Sequence, residues 1–301
     1  MVNTRILEQQ LGWRRGQAMP ADAAQPPREL RHEPLLQGRI RAETGGAGPA
    51  PVGLAPRPRL GRAAQQELWA ALEPWGASLD AMARAQGMLP PFDRDSAAGT
   101  MLDQLRAALL RVSGAQGWRR IGVAAPRRGA GASFVALGLA AAVARLDYLR
   151  LLLLDLDLGN PSLHRYLGRA APGPLEPVLR GEAPAIAHVG RVGANAALLL
   201  NDAAPSAPAD LLHSPEALQT LRALTEALAP DLLLVDLPPL LTDPAAAAAL
   251  SQVDAVLLVA DGSTNTARDI TDCERRIEGQ TPLIGVVLNK SEDWPARGRS
   301  G

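Results

Sequence analysis

Three segments of the chain place chemistry-bearing residues where an apolar run ends. PRRGAGASF, residues 126–134, follows IGVAA and concentrates glycine, alanine and serine in one short stretch. LLLLDLDLGNP carries Asp155 and Asp157 behind a leucine run, and LLLVDLPP carries Asp236 behind another. Small residues let backbone N–H groups close around an oxyanion, and a helix that follows adds its positive end. Taken alone, the Gly-rich segment reads equally as a phosphate cradle or as a tight strand-to-helix turn in an Ala/Gly-rich protein. The aspartates break that tie. Carboxylates at apolar strand ends are costly unless a cation or hydrogen bonds compensate them, and alternation puts Asp155 and Asp157 on one side of an extended chain. Each aspartate singly also fits helix capping or loop exposure. Together, after a Gly-rich turn, they point to a site for Mg²⁺ and a nucleotide.

The elements that must position these residues follow from periodicity. IGVAA (121–125), LRLLLLDLDL (149–158), DLLLVDLPP (231–239), AVLLVAD (255–261) and PLIGVVLNK (282–290) are near-continuous apolar runs, as strands buried on both faces are. Between them lie helical segments: about 96–112, FVALGLAAAVARL after the Gly-rich turn, PEALQTLRALTEAL (215–228) and about 266–278. The alternation predicts an α/β fold, a parallel sheet with helices on both faces, and ligands beyond the carboxyl ends of its strands. Upstream, Leu68, Leu72, Trp75, Leu79 and Met82 have helical spacing and predict one amphipathic helix over 63–86, before GMLPPFDRD breaks the chain. The expected organisation is a flexible Pro/Gly/Arg-rich tail over 1–64, the helix and linker over 65–94, the sheet-bearing domain over 95–293 and a short tail over 294–301.

Composition narrows the function classes. Lys plus Arg and Asp plus Glu both number 31 in 301 residues, so bulk charge gives no reason to expect nucleic acid as a partner. No apolar run approaches the ~20 residues of a membrane-spanning helix, and the N-terminus lacks the apolar stretch of a signal peptide, so a cytoplasmic protein is expected. Cys273 is the single cysteine; its neighbours Asp272 and Glu274 argue against a nucleophilic role. The four histidines lack metal-ligand spacing, and His164 and His213 are read as structural. Lys290 is the only lysine.

The run from about Asp95 to Asp293 resembles the bacterial tyrosine kinases of polysaccharide export (CpsD/CapB/Wzc-type), within the MinD/ParA group of P-loop ATPases. The motifs that carry the resemblance are IGVAAPRRGAGAS, LLLLDLDLGNPSLHRYLG, APADLLHSPEALQTLRAL, DLLLVDLPPLLTD, VDAVLLVADGSTNT and LIGVVLNK. It implies a P-loop NTPase-like fold that takes ATP or ADP with Mg²⁺. Arg128, Gly129, Ala130, Gly131, Ala132, Ser133 and Phe134 then form the phosphate loop. Asp155, Asp157 and Asp236 are the catalytic acids, and Ser133, Asp155 and Asp236 stand at the metal. Asn289 matches the base-contacting asparagine. The implied partner is a membrane-embedded polysaccharide chain-length regulator or export protein, met at the inner face of the plasma membrane, with self-association a further possibility of the family.

Departures from the family pattern shape the expected activity. Where the phosphate loop should carry lysine after its last glycine, this chain has Ala132; Gly159 stands where arginine is usual. Of the family's Glu-x-x-Arg-x-x-Arg oligomerisation pattern, Thr100, Asp103 and Arg106 retain only the last match, and the C-terminus has no tyrosine cluster. The leading expectation is a degenerate nucleotide-binding domain with weak or no ATP hydrolysis and no tyrosine kinase activity, regulating exopolysaccharide or capsule assembly through protein contacts. One alternative is an active ATPase or tyrosine kinase in which Arg127 or Arg128 replaces the lysine. The other is a MinD/ParA-like positioning ATPase, which needs a basic patch or C-terminal amphipathic helix that SEDWPARGRSG does not supply.

Overall fold

The five apolar runs all form strands, in a computed structural model that describes residues 5–6, 61–88 and 92–290. In chain order the described elements begin with β1 (Arg5–Ile6), α1 (Arg62–Ala71), β2 (Glu73–Gly76), α2 (Leu79–Ala85), α3 (Ala97–Gln116) and β3 (Arg120–Ala124). There follow α4 (Ala132–Ala144), β4 (Leu151–Asp155), α5 (Leu163–Leu167), α6 (Glu176–Leu179), β5 (Val189–Val192) and β6 (Ala196–Leu199). The remainder is α7 (Pro208–His213), α8 (Pro215–Leu228), β7 (Leu232–Asp236), α9 (Ala246–Leu250), β8 (Ala255–Asp261), α10 (Ala267–Ile277) and β9 (Leu283–Asn289). The strands join one sheet in the order β1-β9-β8-β3-β7-β4-β6-β5-β2.

From β9 to β6 every pairing is parallel, as the continuous apolar runs require. The edges depart from that expectation: β5 runs antiparallel to β6, and β1 antiparallel to β9, so the sheet is mixed. Side chains of one parity face α1 and α6 to α10; those of the other face α2 to α5. Thus Leu152, Leu154, Leu233 and Val235 line one core, and Leu151, Leu153, Leu232 and Leu234 the other.

The single helix expected over 63–86 is two. Pro74 removes a donor and obstructs the preceding turn, so α1 stops at Ala71 and 73–76 extend as β2, parallel to β5. Ser78 then caps α2, accepting from Ala81 N–H at 3.1 Å. The helical spacing of the apolar residues was a coincidence of two faces: Trp69 and Leu72 enter one core, Trp75, Leu79 and Ala83 the other. Gly190 makes this possible, because a Cβ there would strike the Trp75 ring. Apart from residues 5–6 and 61–64, the stretch read as a flexible tail lies outside the described residues, as does the C-terminal tail. Among the described residues no helix is long and apolar enough to cross a membrane.

Candidate functional site

Strand order and side-chain parity bring the site together. Asp155 follows Leu151 and Leu153 on β4, and Asp236 follows Leu232 and Leu234 on β7; both therefore face the side of the sheet covered by α4. Asn289 shares that face with Val287 on β9, and Asp261 with Val259 on β8. Across the carboxyl edge the order is Asn289, Asp261, the Gly-rich loop after β3, Asp236 and Asp155.

The loop is held from both sides. The segment after β7 donates to its start, Leu240 N–H to the Ala125 carbonyl at 2.8 Å and Leu241 N–H to that of Pro126 at 3.1 Å. From β9, the Asn289 side-chain amide donates to the Ala130 carbonyl at 2.9 Å. The Lys290 ammonium donates to the Gly129 carbonyl at 2.6 Å and to Asp261 at 2.9 Å. Gly129 and Gly131 take φ of +88° and +96°, and a Cβ at 131 would strike the Asn289 amide, so residue 131 has to be glycine. With two consecutive carbonyls drawn toward β9, none of the N–H groups of Gly129 to Ser133 makes a hydrogen bond of normal geometry among the described residues, although 128–129 form a turn. Gly131 opens α4 without a side-chain cap, leaving that helix end free for an anion.

Asp155 and Asp236 are paired in register on adjacent strands, and neither is exposed. None of their four carboxylate oxygens has a hydrogen bond of normal geometry, a costly state for two neighbouring acids. Burial, then the charge of Asp236, raises the Asp155 pKa well above the carboxylate range; the N–H groups of Leu163 and Asp157 oppose this weakly. Burial likewise pushes Asp236 up to about 8, against the pull of the Ser133 hydroxyl. Asp157, on the loop beyond β4, is raised by burial to about 6 although Arg128 opposes the shift.

Arg128 bridges three segments. Its guanidinium donates to Asp157 at 2.9 and 3.2 Å and to Asp243, beyond β7, at 2.7 Å. It also fills the space beside Gly159, where a Cβ would lie 3.4 Å from Nη2 and 3.5 Å from Asp243 Oδ2. Arg127 turns the other way, to Asp269 in the first turn of α10, at 3.2 Å. Ala132 offers no charge at the first position of α4.

No protein-family profile matches the chain. Two curated proteins do, both provisionally named tyrosine-protein kinase EpsB: one from Ralstonia nicotianae, 29% identical over 211 residues, the other from Ralstonia solanacearum, 28% over 208. Each alignment takes in 68% of this chain and 27% of the relative, so the chain spans about a quarter of their length. Among solved structures, the BceF tyrosine kinase domain matches with a TM-score of 0.58 and 24% identity, over 76% of this chain and 97% of that domain. The kinase domain of Escherichia coli ETK matches at 0.61 and 24%, over 68% and 80%. The chain shares the fold of these bacterial tyrosine kinase domains. That fold brings Arg128 to Ser133, Asp155, Asp157, Asp236 and Asn289 to one edge of the sheet, while Phe134, in the first turn of α4, makes edge-to-face contacts with Phe92 and Tyr166. Sequence reading gave Lys290, Asp261 and Asp243 no part in this site. The available signals were that Asp261 ends a strand as Asp155 and Asp236 do, and that Lys290 directly follows Asn289. Asp103 and Arg106 of the oligomerisation pattern are engaged within the chain: Asp103 accepts from Arg106 at 2.8 Å and Arg145 at 3.2 Å, and Arg106 donates to the Ala142 carbonyl. His164 and His213 meet the Asn201 and Ala209 carbonyls. The Cys273 thiol is buried and pushed up to about 12 by that burial and then by Asp269, an inert thiol.

Proposed function

We propose that this domain binds a nucleotide with Mg²⁺ but transfers its phosphoryl group weakly or not at all, and acts in exopolysaccharide or capsule assembly through protein contacts with a membrane-embedded partner. The free N–H groups of the loop and the uncapped start of α4 suit a phosphate. The Ser133 hydroxyl and the orphaned oxygens of Asp155 and Asp236 suit Mg²⁺, directly or through water. Among the described residues no group of three or more His, Cys, Asp or Glu is placed to hold a metal. That agrees with a Mg²⁺ held by one or two carboxylates and the substrate's own phosphates. When bound, the ion would neutralise phosphate charge. Asn289, the expected base contact, has its buried side chain taken up by the Ala130 carbonyl and the Lys290 N–H, so its part here is to hold the loop.

The observation that carries the reduced activity is the charge inventory at the loop. Ala132 supplies no cation, and Arg127 and Arg128, the two candidates to replace it, are both committed to carboxylates. Losing a charge-assisted contact to phosphate costs on the order of 1.5–3 kcal/mol in binding, about ten- to a hundredfold. Transfer suffers more, because the protein contributes mainly positioning and charge stabilisation to that step. ATP turnover by the purified chain should stay at background. Robust turnover that disappears in Asp236→Ala would overturn the reading and favour the active-enzyme alternative. The similarity to proteins named EpsB supports the exopolysaccharide setting; deletion of the gene should alter polysaccharide amount or chain length.

A further inference from the structure

We infer that the groove between α1 and α8 is a docking surface for a basic amphipathic helix of a partner protein. The groove encloses about 400 Å³. Leu224 of α8 forms its floor, Leu68 of α1 and residues 183–186 beyond α6 form its sides, and Ala223 and Ala227 extend it along α8. Ala217, Leu221, Leu224 and Leu228 are the buried face of α8. Thr220, Ala223 and Ala227, at i, i+3 and i+7 beside that face, are only half-buried, and residues this small let a second helix approach closely. The walls are fixed by the chain itself. The Trp69 indole N–H, next to Leu68, donates to the Leu228 carbonyl at 2.7 Å and holds α1 against the end of α8. Opposite, a left-handed turn at Gly181 lets the Glu182 and Ala183 N–H groups both donate to the Pro177 carbonyl, at 2.8 and 3.2 Å. Leu68 and Leu224 belong to the core on the other face of the sheet from Asp155 and Asp236, so the inference needs nothing from the nucleotide reading.

Charge names the occupant. Glu67 precedes Leu68, Glu182 precedes Ala183, and Glu216 stands one turn before Thr220 on the same side of α8. All three are exposed, and their carboxylates have no hydrogen bond or close ion pair among the described residues. The arginines nearby are taken: Arg180 pairs with Glu176 at 2.8 Å and Arg222 with Glu226 at 3.8 Å, while Arg150 stacks on the Trp69 ring. The Glu176 hydrogen bond, and after it the charges of Glu176, Glu182 and Glu216, raise the Arg180 pKa, which puts three carboxylates around one guanidinium. An apolar floor under an acidic rim matches a helix with aliphatic residues on one face and Lys or Arg on its flanks, and it repels an acidic helix.

Fluorescence anisotropy of the full chain with a labelled leucine/lysine peptide of about 18 residues, its leucines at i, i+3, i+4 and i+7, tests this. The peptide should bind in the micromolar range and more weakly as salt rises. A leucine/glutamate peptide of the same pattern should bind at least about tenfold more weakly. Ala223→Arg puts a long cationic side chain into the groove and should weaken the lysine peptide at least about tenfold. Glu182→Gln together with Glu216→Gln keeps the shape of the groove, and should weaken the lysine peptide several-fold and flatten its salt dependence. No binding by the unaltered chain, or undiminished binding by Ala223→Arg, overturns the inference. Equal binding of the two peptides overturns the basic partner. Self-association in sedimentation velocity that Ala223→Arg removes makes a second copy the occupant and likewise overturns it. Circular dichroism and melting follow the folding of the variants; if Ala223→Arg fails to fold, the doubly substituted chain, altered only at exposed residues, decides.

Discussion

The buried pair at the ends of β4 and β7 makes the stability of this domain depend on pH in an unusual direction. Asp236, with an ordinary value of 3.8, is pushed up to about 8 in the folded chain. Between those values the folded state keeps a proton that the unfolded state has released. Stability therefore falls as pH rises through this window, opposite to a salt-bridged carboxylate. At about 1.4 kcal/mol per pH unit, Asp236 alone accounts for roughly 2–3 kcal/mol between pH 5 and 7, and Asp155, raised by the same burial, adds to it. For a chain of this size that lowers Tm by about 5–10 °C. Asp157, raised to about 6, adds to the loss in the lower half of the window. Asp254, Asp261 and Asp269, all shifted downward, contribute only at more acid pH. Asp236→Asn puts a neutral side chain of the same shape between the same neighbours. In metal-free buffer it should melt higher than the unaltered chain at pH 7.5, lose the advantage by pH 5, and show a flatter Tm profile. Mg²⁺ should stabilise the unaltered chain more at pH 7.5 than at pH 5.5 and do little for the variant. Scanning calorimetry across pH 5–8 with EDTA or Mg²⁺ reads all of this. A flat Tm for the unaltered chain, or a variant less stable than it at pH 7.5, would refute the account of two acids buried without partners.

Other perturbations address the loop and the sheet edge. Gly131→Ala forces a Cβ into the Asn289 amide at a φ of +96°, and should lower stability by about 1–3 kcal/mol in urea titration while abolishing nucleotide binding. Lys290→Ala should cost at most about 1 kcal/mol, because the ammonium is half exposed. Its clearer signature is the titration of Asp261 followed by NMR: burial pushes that carboxyl up, but hydrogen bonds from Ser263 and Lys290 hold it near 2, so the midpoint should rise. Gly190→Ala meets the Trp75 ring, and should detach β2 from β5, red-shift tryptophan emission and cost about 1–3 kcal/mol.

The central strands and the acids that end them were legible in the sequence for one reason. A parallel strand covered on both faces must be apolar at every position, so a carboxylate closing such a run announces the strand's end and a compensating partner. Alternation relates residues along one strand only; that Asp155 and Asp236 share a face follows from the register of β4 against β7. The edge of the sheet was less legible. Short strands such as VGRV carry no comparable signal, and the apolar spacing across Pro74 matched a helix although its residues enter two different cores. The electrostatics of the loop belonged to tertiary structure alone. Arg128 meets Asp157 and Asp243, 29 and 115 positions away, and Lys290 reaches Gly129 across 161. Strand order sets those encounters. Sequence could name the missing lysine at 132, whereas the commitment of every neighbouring cation to a carboxylate or a loop carbonyl depended on which strand ends the sheet set side by side.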